Sequence, residues 1–257
     1  MDEMRTFLRE VAAAAAAQTL PRFRQPTEVA NKYTVGFDPV TEADREAERA
    51  IRALIERRFP AHGIVGEEFG AANADAEHVW VIDPIDGTRA FISGLPLWGT
   101  LVGLKRAGRA VTGMMSQPFT GELFMADEKG AFYEGPGGPR ALKTRATSSL
   151  ADATLCTTTP ALFSGPGRTA YDRLESQVRL ARYGTDCYAY CMLAAGNIDL
   201  VVETALQPYD IVALIPIIER AGGVVTRLDG GPAELAGDIV AAANAELHKA
   251  ALDVLNG

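Results

Sequence analysis

The chain has 257 residues and a formal net charge of −8, with 47% hydrophobic and 23% charged residues. This length and composition are typical of a globular protein with a large core, built either as one α/β domain or as two coupled halves. The acidic balance argues against nucleic acid or an anionic membrane as the main partner. An acidic protein that handles an anionic substrate also needs cations to screen it.

The N-terminal segment predicts a helix over residues 4–24, which is rich in alanine. Its apolar stripe is formed by Phe7, Leu8, Val11 and Leu20. Acidic residues stand where a signal peptide needs positive charge, and the alanine run 12–17 is too short and too weakly apolar to span a membrane. The three cysteines cannot all pair, so a reducing compartment is expected. These features predict a cytoplasmic location.

The next segment predicts a short extended element followed by a second helix. Residues 28–37 alternate loosely, which indicates a strand or hairpin that carries Lys32. Thr41 and Asp44 have the spacing of a capping box that begins a helix over residues 42–59. The side chains predicted to face the core are Ala47, Ile51, Leu54 and Ile55.

A short strand over residues 63–65 is followed directly by Gly66, Glu67 and Glu68. Acidic residues immediately after an apolar strand and beside a glycine are placed at a sheet edge, where a ligand can approach. A solvent-exposed turn explains the same residues, and this motif alone leaves both interpretations open.

A second apolar strand, over residues 79–82, delivers Asp83 and Asp86 into a turn. Pro84 and Gly87 are expected to take the backbone out of regular structure where these acids stand. Two carboxylates this close repel each other, so either one is protonated or a cation lies between them. The second option makes this turn a metal site.

Four further strands predict an antiparallel meander, which completes an N-terminal α+β half over residues 1–135. They cover residues 97–104, 110–117, 122–126 and 131–133. The segment 135–139, with the sequence GPGGP, is the candidate boundary before a C-terminal half over residues 140–257. It is too short for a flexible linker, so one compact catalytic unit is expected.

The C-terminal half alternates between strands and helices, which indicates a layered α/β arrangement. Strands are predicted at 154–158, 181–183, 198–203, 224–227 and 239–243. Helices are predicted at 169–180, 186–195, 210–221 and from about 245. Cys187 and Cys191, four residues apart in an apolar helix, are expected in the core. Pro216 should kink its helix because it removes one backbone hydrogen bond.

Acidic residues at the end of a strand or the start of a helix occur at four places along the chain. They are Glu67 with Glu68, Asp83 with Asp86, Asp210, and Asp44. Hard divalent cations such as Mg²⁺ take oxygen ligands from a few carboxylates and from substrate phosphate. The set therefore indicates a two-metal site for phosphoryl transfer.

An alternative for Asp83 is the nucleophilic aspartate of haloacid dehalogenases, whose pattern is an apolar strand followed by D-x-D-G-T. Here the spacing is D-x-x-D-G-T, so the second acid, Asp86, is one residue out of register for that role. Neither of the glycine-rich nucleotide-binding loop patterns, GxxxxGK[ST] and GxGxxG, occurs in the chain.

Three motifs resemble the signatures of the inositol monophosphatase superfamily. They are Gly66-Glu67-Glu68, the string D-P-I-D-G-T from Asp83 to Thr88, and Pro208-Tyr209-Asp210 with Ala221-Gly222-Gly223. The resemblance covers nearly the whole chain. It implies a layered αβαβα sandwich of the α+β class and the Mg²⁺-dependent hydrolysis of a small phosphate monoester, with two or three metal ions per site and Mn²⁺ as a substitute.

The resemblance also implies the metal ligands. Glu67, Asp83 and the carbonyl of Ile85 would hold one ion, and Asp83, Asp86 and Asp210 would hold the second, with Asp83 as the bridge.

The same resemblance assigns the catalytic and phosphate-binding groups. Thr88 together with Asp44 would orient and help to deprotonate the attacking water, beside the metal ligand Glu67. The backbone amides of Gly87 and Thr88 would bind the phosphate, which the start of a helix also favours. Arg89 either touches the phosphate or pairs with a nearby acid, and both interpretations stay open.

Substrate choice is expected to depend on the residues that face the leaving alcohol, which the resemblance places at Thr185, Asp186 and Glu203. Asp186 and Tyr209 depart from the usual family pattern and look like the histidinol-phosphate phosphatase branch. Two acids beside the leaving group suit histidinol, which carries an amine and an imidazole. Asp186 can instead be a helix cap.

Other substrates and one other class of function stay open. The same chemistry could act on inositol 1-phosphate or on another sugar or nucleotide phosphate. The remote alternative is a non-catalytic regulatory protein that binds metal or phosphate. The resemblance also implies a homodimer.

Overall fold

The computed structural model describes residues 3–26, 29–31 and 39–257. Its α-helices are α1 Glu3–Thr19, α2 Glu42–Arg58, α3 Thr88–Ile92, α4 Gly165–Glu175, α5 Asp186–Ala194, α6 Pro208–Ile211, α7 Leu214–Arg220 and α8 Ala245–Asn256. Its first ten strands are β1 Ala30–Asn31, β2 Pro39–Val40, β3 Gly63–Gly66, β4 Gly70–Ala72, β5 His78–Asp86, β6 Gly99–Arg106, β7 Arg109–Gln117, β8 Glu122–Asp127, β9 Gly130–Glu134 and β10 Arg140–Ala141. The others are β11 Thr154–Thr157, β12 Leu180–Tyr183, β13 Leu200–Leu206, β14 Val224–Arg227 and β15 Gly237–Ala242. Most of the predicted hairpin over residues 28–37, including Lys32, lies outside the described residues.

Two large sheets organise the described chain. The first has eight strands in the order β10-β9-β8-β7-β6-β5-β3-β4, and the predicted antiparallel meander from β6 to β9 is confirmed. The second has five strands in the order β12-β11-β13-β15-β14, with β11 parallel to both of its neighbours. The segment 135–139 connects β9 to β10, so the first sheet continues just beyond it.

The helices form three layers around these sheets. α1 and α2 cover one face of the eight-stranded sheet, with Phe7 and Ile51 in one core with Trp80. α5 and α7 lie between the two sheets, where Leu193 and Ile217 share a core with residues of both. α4 and α8 cover the outer face of the five-stranded sheet. The predicted αβαβα sandwich is confirmed.

The first two helices show why local sequence signals succeed or fail. The capping box of Thr41 and Asp44 is present at the start of α2, as predicted. α1 ends at Thr19, so the prediction that it continues to residue 24 is wrong, and Leu20 is exposed. Pro21 explains the early end, because the residue before a proline is disfavoured in helical conformation.

The break between α6 and α7 confirms the predicted effect of Pro216. The helix predicted over residues 210–221 is divided at Val212 and Ala213 into two shorter helices. Pro216 has no N–H to donate to the carbonyl of Val212, and its ring crowds that carbonyl. Cys187 and Cys191 are buried in the central core, as expected.

Among the helices of the described residues, none has both the length and the apolar character that crossing a bilayer requires.

Candidate active site

A cleft of about 490 Å³ lies where the two halves of the chain meet. The N-terminal half contributes Glu67, Asp83, Ile85, Asp86, Gly87, Thr88 and Arg89 to its wall. The C-terminal half contributes Thr158, Leu162, Asp186, Cys187, Tyr190, Glu203, Thr204, Ala205, Leu206, Gln207, Tyr209 and Asp210. The structure therefore brings together in this cleft all the predicted site residues except Asp44 and Thr185.

An irregular stretch of β5 places two acids on the same side of the sheet. Side chains three positions apart on a regular strand face opposite sides. The pairing of β5 with β6 shifts between Asp83 and Asp86, and Asp86 is again paired, with Gly99. The prediction that the strand ends before these acids is wrong, because β5 continues as a bulged strand to Asp86. Only at Gly87, with φ of 81°, does the chain turn into α3.

Local hydrogen bonds stabilise this bulge. The carboxylate of Asp83 accepts a bond from the backbone amide of Ile85 (3.0 Å). The hydroxyl of Thr100 donates to the carbonyl of Pro84 (2.8 Å). Asp86 accepts a bond from the amide of Cys187 (2.7 Å), which ties β5 to the start of α5.

Carboxylate oxygens of Asp83, Asp86 and Asp210 all lie within 4.8 Å of one another. Asp210 reaches this cluster from the first turn of α6, where it also accepts a hydrogen bond from the amide of Gln207 (2.7 Å). We call these three residues the carboxylate cluster. Glu67, at the end of β3, adjoins Asp83.

The electrostatics of the carboxylate cluster fit a divalent cation. Burial raises the pKa of Asp83 well above its ordinary value, and the charges of Glu67, Asp86 and Asp210 raise it further. Burial also raises the pKa of Asp86, with Asp186 and Asp210 adding to the effect. Bringing these acids together in ionised form is costly unless a positive charge compensates. Oxygen-only donors of this kind match Mg²⁺ and Mn²⁺.

The segment that carries Glu67 is held by a buried acid from α2. Glu48 is fully buried and accepts hydrogen bonds from the backbone amides of Glu68 (2.7 Å) and Phe69 (3.2 Å). Arg52 donates to the same carboxylate (2.7 Å). Gly66 leaves the necessary space, because a Cβ there would overlap with Glu48. The glycine before Glu67 is thus required by a close approach.

We expect Gly66→Ala to raise the Mg²⁺ concentration needed for half-maximal activity by about 10–100-fold, because groups that orient metal ligands have effects of this size. The added methyl would displace Glu48 from the amides that fix the Glu67 segment. Metal titrations of activity measure the effect. Gly167→Ala is the control, since a Cβ at Gly167 would have open space. An unchanged metal requirement in Gly66→Ala would contradict the role given to Glu48.

Thr88 and Asp44, the predicted water-activating pair, form hydrogen bonds with different residues in the structure. Thr88 lines the cleft, and its hydroxyl donates to the carbonyl of Ile85 (3.0 Å). Asp44 is buried behind the cleft and accepts from the amide (2.8 Å) and hydroxyl (2.6 Å) of Thr41. Burial raises the pKa of Asp44 to about 6, and the nearby charges of Glu68 and Glu67 contribute. Water activation by Thr88 and Asp44 stays a prediction.

The end of the cleft beside Gly87 carries two more acids. Asp186 begins α5 and lies within reach of the hydroxyl of Thr158 (3.4 Å). Glu203, on β13, accepts bonds from the amide (2.5 Å) and hydroxyl (3.0 Å) of Thr158 and from the hydroxyl of Thr157 (3.2 Å). Two carboxylates thus meet at this end of the cleft.

The interpretation of Asp186 as a helix cap is wrong. The N-cap residue of α5 is Thr185, and its side chain makes no capping hydrogen bond. Asp86, from the other half of the chain, accepts the bond from Cys187 instead. Burial raises the pKa of Asp186, and the positive charge of Arg89 opposes this rise. Arg89 therefore lies near an acid, which agrees with one of the two roles considered for it, pairing with a nearby acid.

Glu203 makes a pH-dependent contribution to stability. Burial raises its pKa to about 7 from an ordinary 4.5, with Asp186 adding to the effect. The folded state therefore binds more protons than the unfolded state between these two values, and stability falls as pH rises through this interval.

We expect Glu203→Gln to remove this pH dependence while keeping an acceptor for Thr158. In chelator, the variant should become more stable than the wild type as pH rises from 5 to 8, by up to about 3 kcal/mol. Thermal unfolding of both proteins across this range measures the difference. A stability difference that does not change with pH would contradict the raised pKa.

Sequence reasoning missed several residues of the cleft. Thr158 and the end of β13 carry no motif of their own. Tyr190 had a usable signal, because it shares a face of α5 with Asp186 at a helical spacing of four. Thr185 was predicted as a substrate contact but does not line the cleft, and its hydroxyl is buried.

Comparisons with known proteins find relatives along nearly the whole chain. The chain matches the sequence profile of the inositol monophosphatase family over residues 1–256. It is 38% identical over 250 residues to the bifunctional phosphatase IMPL2, chloroplastic, of Arabidopsis thaliana, covering 91% of this chain and 69% of the relative. It is 36% identical over 237 residues to the histidinol-phosphatase of Chlorobaculum parvum, covering 91% and 90%. An inositol monophosphatase structure from Zymomonas mobilis matches with a TM-score of 0.88 and 36% identity, covering 100% of both chains. The chain belongs to the inositol monophosphatase family.

Proposed function

We propose that this phosphatase hydrolyses histidinol phosphate to histidinol and phosphate, a reaction of histidine biosynthesis, with Mg²⁺ bound at the carboxylate cluster. The observation that carries the substrate assignment is the pair Asp186 and Glu203, which line the cleft beside Gly87. A leaving alcohol with an amine and an imidazole places positive charge or N–H donors beside these acids. The name of the Chlorobaculum parvum relative supports the same substrate.

The donor groups suit two or three ions, with Mn²⁺ as a substitute for Mg²⁺. Glu67, Asp83 and the carbonyl of Ile85 would hold one ion, and Asp83, Asp86 and Asp210 a second. Bound divalent cations supply charge neutralisation of the phosphate oxygens and a lowered pKa for the attacking water.

The chain's own groups then bind and orient the ester. The amides at Gly87 and Thr88 donate to the phosphate oxygens at the turn into α3. The hydroxyl of Thr88 turns from the carbonyl of Ile85 towards the water. Asp44, close to Glu67, accepts a proton through this hydroxyl. The two halves act as one catalytic unit, since each contributes ligands and walls to one cleft.

Asp186 and Glu203 select the alcohol. They accept hydrogen bonds from the cationic leaving group, and charge-assisted bonds of this kind are the stronger ones. The positive charge of Arg89 favours the ionised form of Asp186, the form that makes such bonds.

Inositol 1-phosphate is the alternative substrate, and the Zymomonas mobilis structure favours it, because that protein is named an inositol monophosphatase. A polyol would use Asp186 and Glu203 as acceptors for hydroxyl groups. Another sugar or nucleotide phosphate is a weaker alternative. The homodimer and the cytoplasmic location stay predictions, and the first is measurable by sedimentation.

The test is a comparison of kcat/KM for histidinol phosphate and inositol 1-phosphate with Mg²⁺. We expect histidinol phosphate to be preferred by at least tenfold. A preference for inositol 1-phosphate would transfer the proposal to the alternative substrate. Phosphate release from neither ester would contradict both substrates and leave another sugar or nucleotide phosphate, or the non-catalytic class.

A further inference from the structure

A second cavity of about 250 Å³ adjoins the cleft. It lies on the outer face of the five-stranded sheet, between that sheet and the start of α4. Most of its lining is apolar and comes from separate elements, including Val202 of β13, Val240 of β15 and Leu255 of α8. Phe163, just before α4, forms part of the opposite wall.

The two hollows share part of their walls. Leu162, Glu203 and Thr204 line both of them. Leu162 is 48% exposed and stands where the hollows meet. The pairing of β13 with β15 shifts between Glu203 and Leu206, so the strand departs from regular geometry at this junction. A molecule that extends past Glu203 from the carboxylate cluster therefore reaches the second cavity.

The acids at the junction define its polar edge. Asp238 lines the second cavity and accepts bonds from the hydroxyl of Thr204 (2.6 Å) and the amide of Ala205 (3.1 Å). Ala205 has a φ of 59°, an uncommon value for a residue with a side chain, so Asp238 stabilises a strained bend. Carboxylates of Glu203 and Asp238 thus border an otherwise apolar space.

This combination suits a flat ring that carries an N–H group. A cavity of about 150 Å³ lined by aliphatic and aromatic side chains is large enough for benzene. The second cavity therefore has room for one ring and the atoms that link it to the ester. Its apolar walls would cover the faces of the ring, and the carboxylates would accept from its edge.

We propose that the second cavity is a specificity subsite that binds the ring of the substrate's alcohol. This inference rests on the proposed hydrolysis of a phosphate monoester. It extends substrate recognition to the ring of the alcohol, which the cleft alone does not select. It assigns the amine of the alcohol to Asp186 and Glu203, and the ring to the space behind Leu162.

The cavity can be filled from α4 to test this assignment. Gly167 lines the cavity and has open space at its Cβ position, so Gly167→Trp introduces bulk without an immediate clash. Ala170→Phe fills the space from the next turn of the same helix. Thr169→Trp is the matched control, since Thr169 is exposed on α4 and does not line the cavity.

Three esters separate the ring from the amine: histidinol phosphate, 2-phenylethyl phosphate and 2-aminoethyl phosphate. We expect both cavity variants to lower kcat/KM at least tenfold for the two ring-bearing esters, mainly through KM. The ring-free ester should change less than twofold, and Thr169→Trp should act like the wild type. Circular dichroism and thermal unfolding of each variant show that it is folded.

Equal losses on all three esters, or no loss on the ring-bearing ones, would overturn the subsite. So would a wild type that gains nothing from the ring when 2-phenylethyl phosphate is compared with ethyl phosphate, which carries neither the ring nor the amine. A different measurement, a preference of the wild type for inositol 1-phosphate, would contradict the proposed substrate. If it did, the effect of the cavity variants on 2-phenylethyl phosphate would still test the subsite.

Discussion

Asp83→Asn is expected to lower kcat for phosphate release by at least about 10³-fold at saturating Mg²⁺. Asp83 is buried in the carboxylate cluster and adjoins Glu67, which is why we propose that it bridges the two ions. Asparagine retains one oxygen but loses the negative charge. Initial rates of phosphate release from histidinol phosphate measure the change.

The fold should tolerate this substitution. The retained oxygen can still accept the bond from the amide of Ile85. In chelator the variant should be at least as stable as the wild type, because one of several mutually repelling buried acids has been neutralised. A folded Asp83→Asn protein that keeps more than a tenth of the wild-type kcat would contradict the role of Asp83.

The second large effect concerns substrate choice, through Asp186. Asp186→Asn should lower kcat/KM for histidinol phosphate by about 10–100-fold, the effect expected for losing a charged hydrogen-bond acceptor. Inositol 1-phosphate, which carries no amine, should change less than about threefold by the same reasoning. Asparagine is the chosen residue because Asp186 has a φ of 42°, and asparagine tolerates the left-handed region better than alanine.

The matched control is Asp152→Asn, an exposed acid that lines neither the cleft nor the second cavity. It tests whether the loss of any acid has the same effect, and we expect it to act like the wild type on both substrates. Equal losses on both substrates in Asp186→Asn would remove Asp186 from the explanation of specificity. The acid would then contribute only to the general electrostatics of the cleft.

The acids of the carboxylate cluster were predictable from local patterns, and the layered αβαβα fold from the family resemblance. The apolar segments that precede Glu67 and Asp83 are visible without any partner, because a run of apolar residues gives way directly to acidic ones in the sequence. Pro216 likewise indicated its kink, since the missing amide acts within one turn of its own helix. Signals of this kind depend only on neighbours along the chain.

Other features depend on contacts between distant segments and had no local signal. The bulge that aligns Asp83 with Asp86 is defined by the pairing of β5 with β6. The capping of α5 by Asp86 joins residues about a hundred positions apart in the chain, so Asp186 was given a role that another acid fills. The support of the Glu67 segment by Glu48 was equally invisible, because an acid on α2 is usually a solvent-exposed one.

The end of the cleft that faces the leaving group was the least predictable part. Thr158 and Glu203 meet across β11 and β13, which are adjacent in the sheet but far apart in the sequence. Thr185 was predicted from its place beside Asp186, yet neighbouring residues at the start of a helix point in different directions. Position in a motif therefore identified the segment but not each side chain that lines the cleft.

The most direct test of the carboxylate cluster as a metal-dependent catalytic centre is phosphate release by metal-stripped wild-type protein during a titration with Mg²⁺. We expect no turnover of histidinol phosphate in chelator, and full recovery of activity as Mg²⁺ is added in excess. Sustained phosphate release from the stripped protein, at the rate seen with Mg²⁺, would contradict the account.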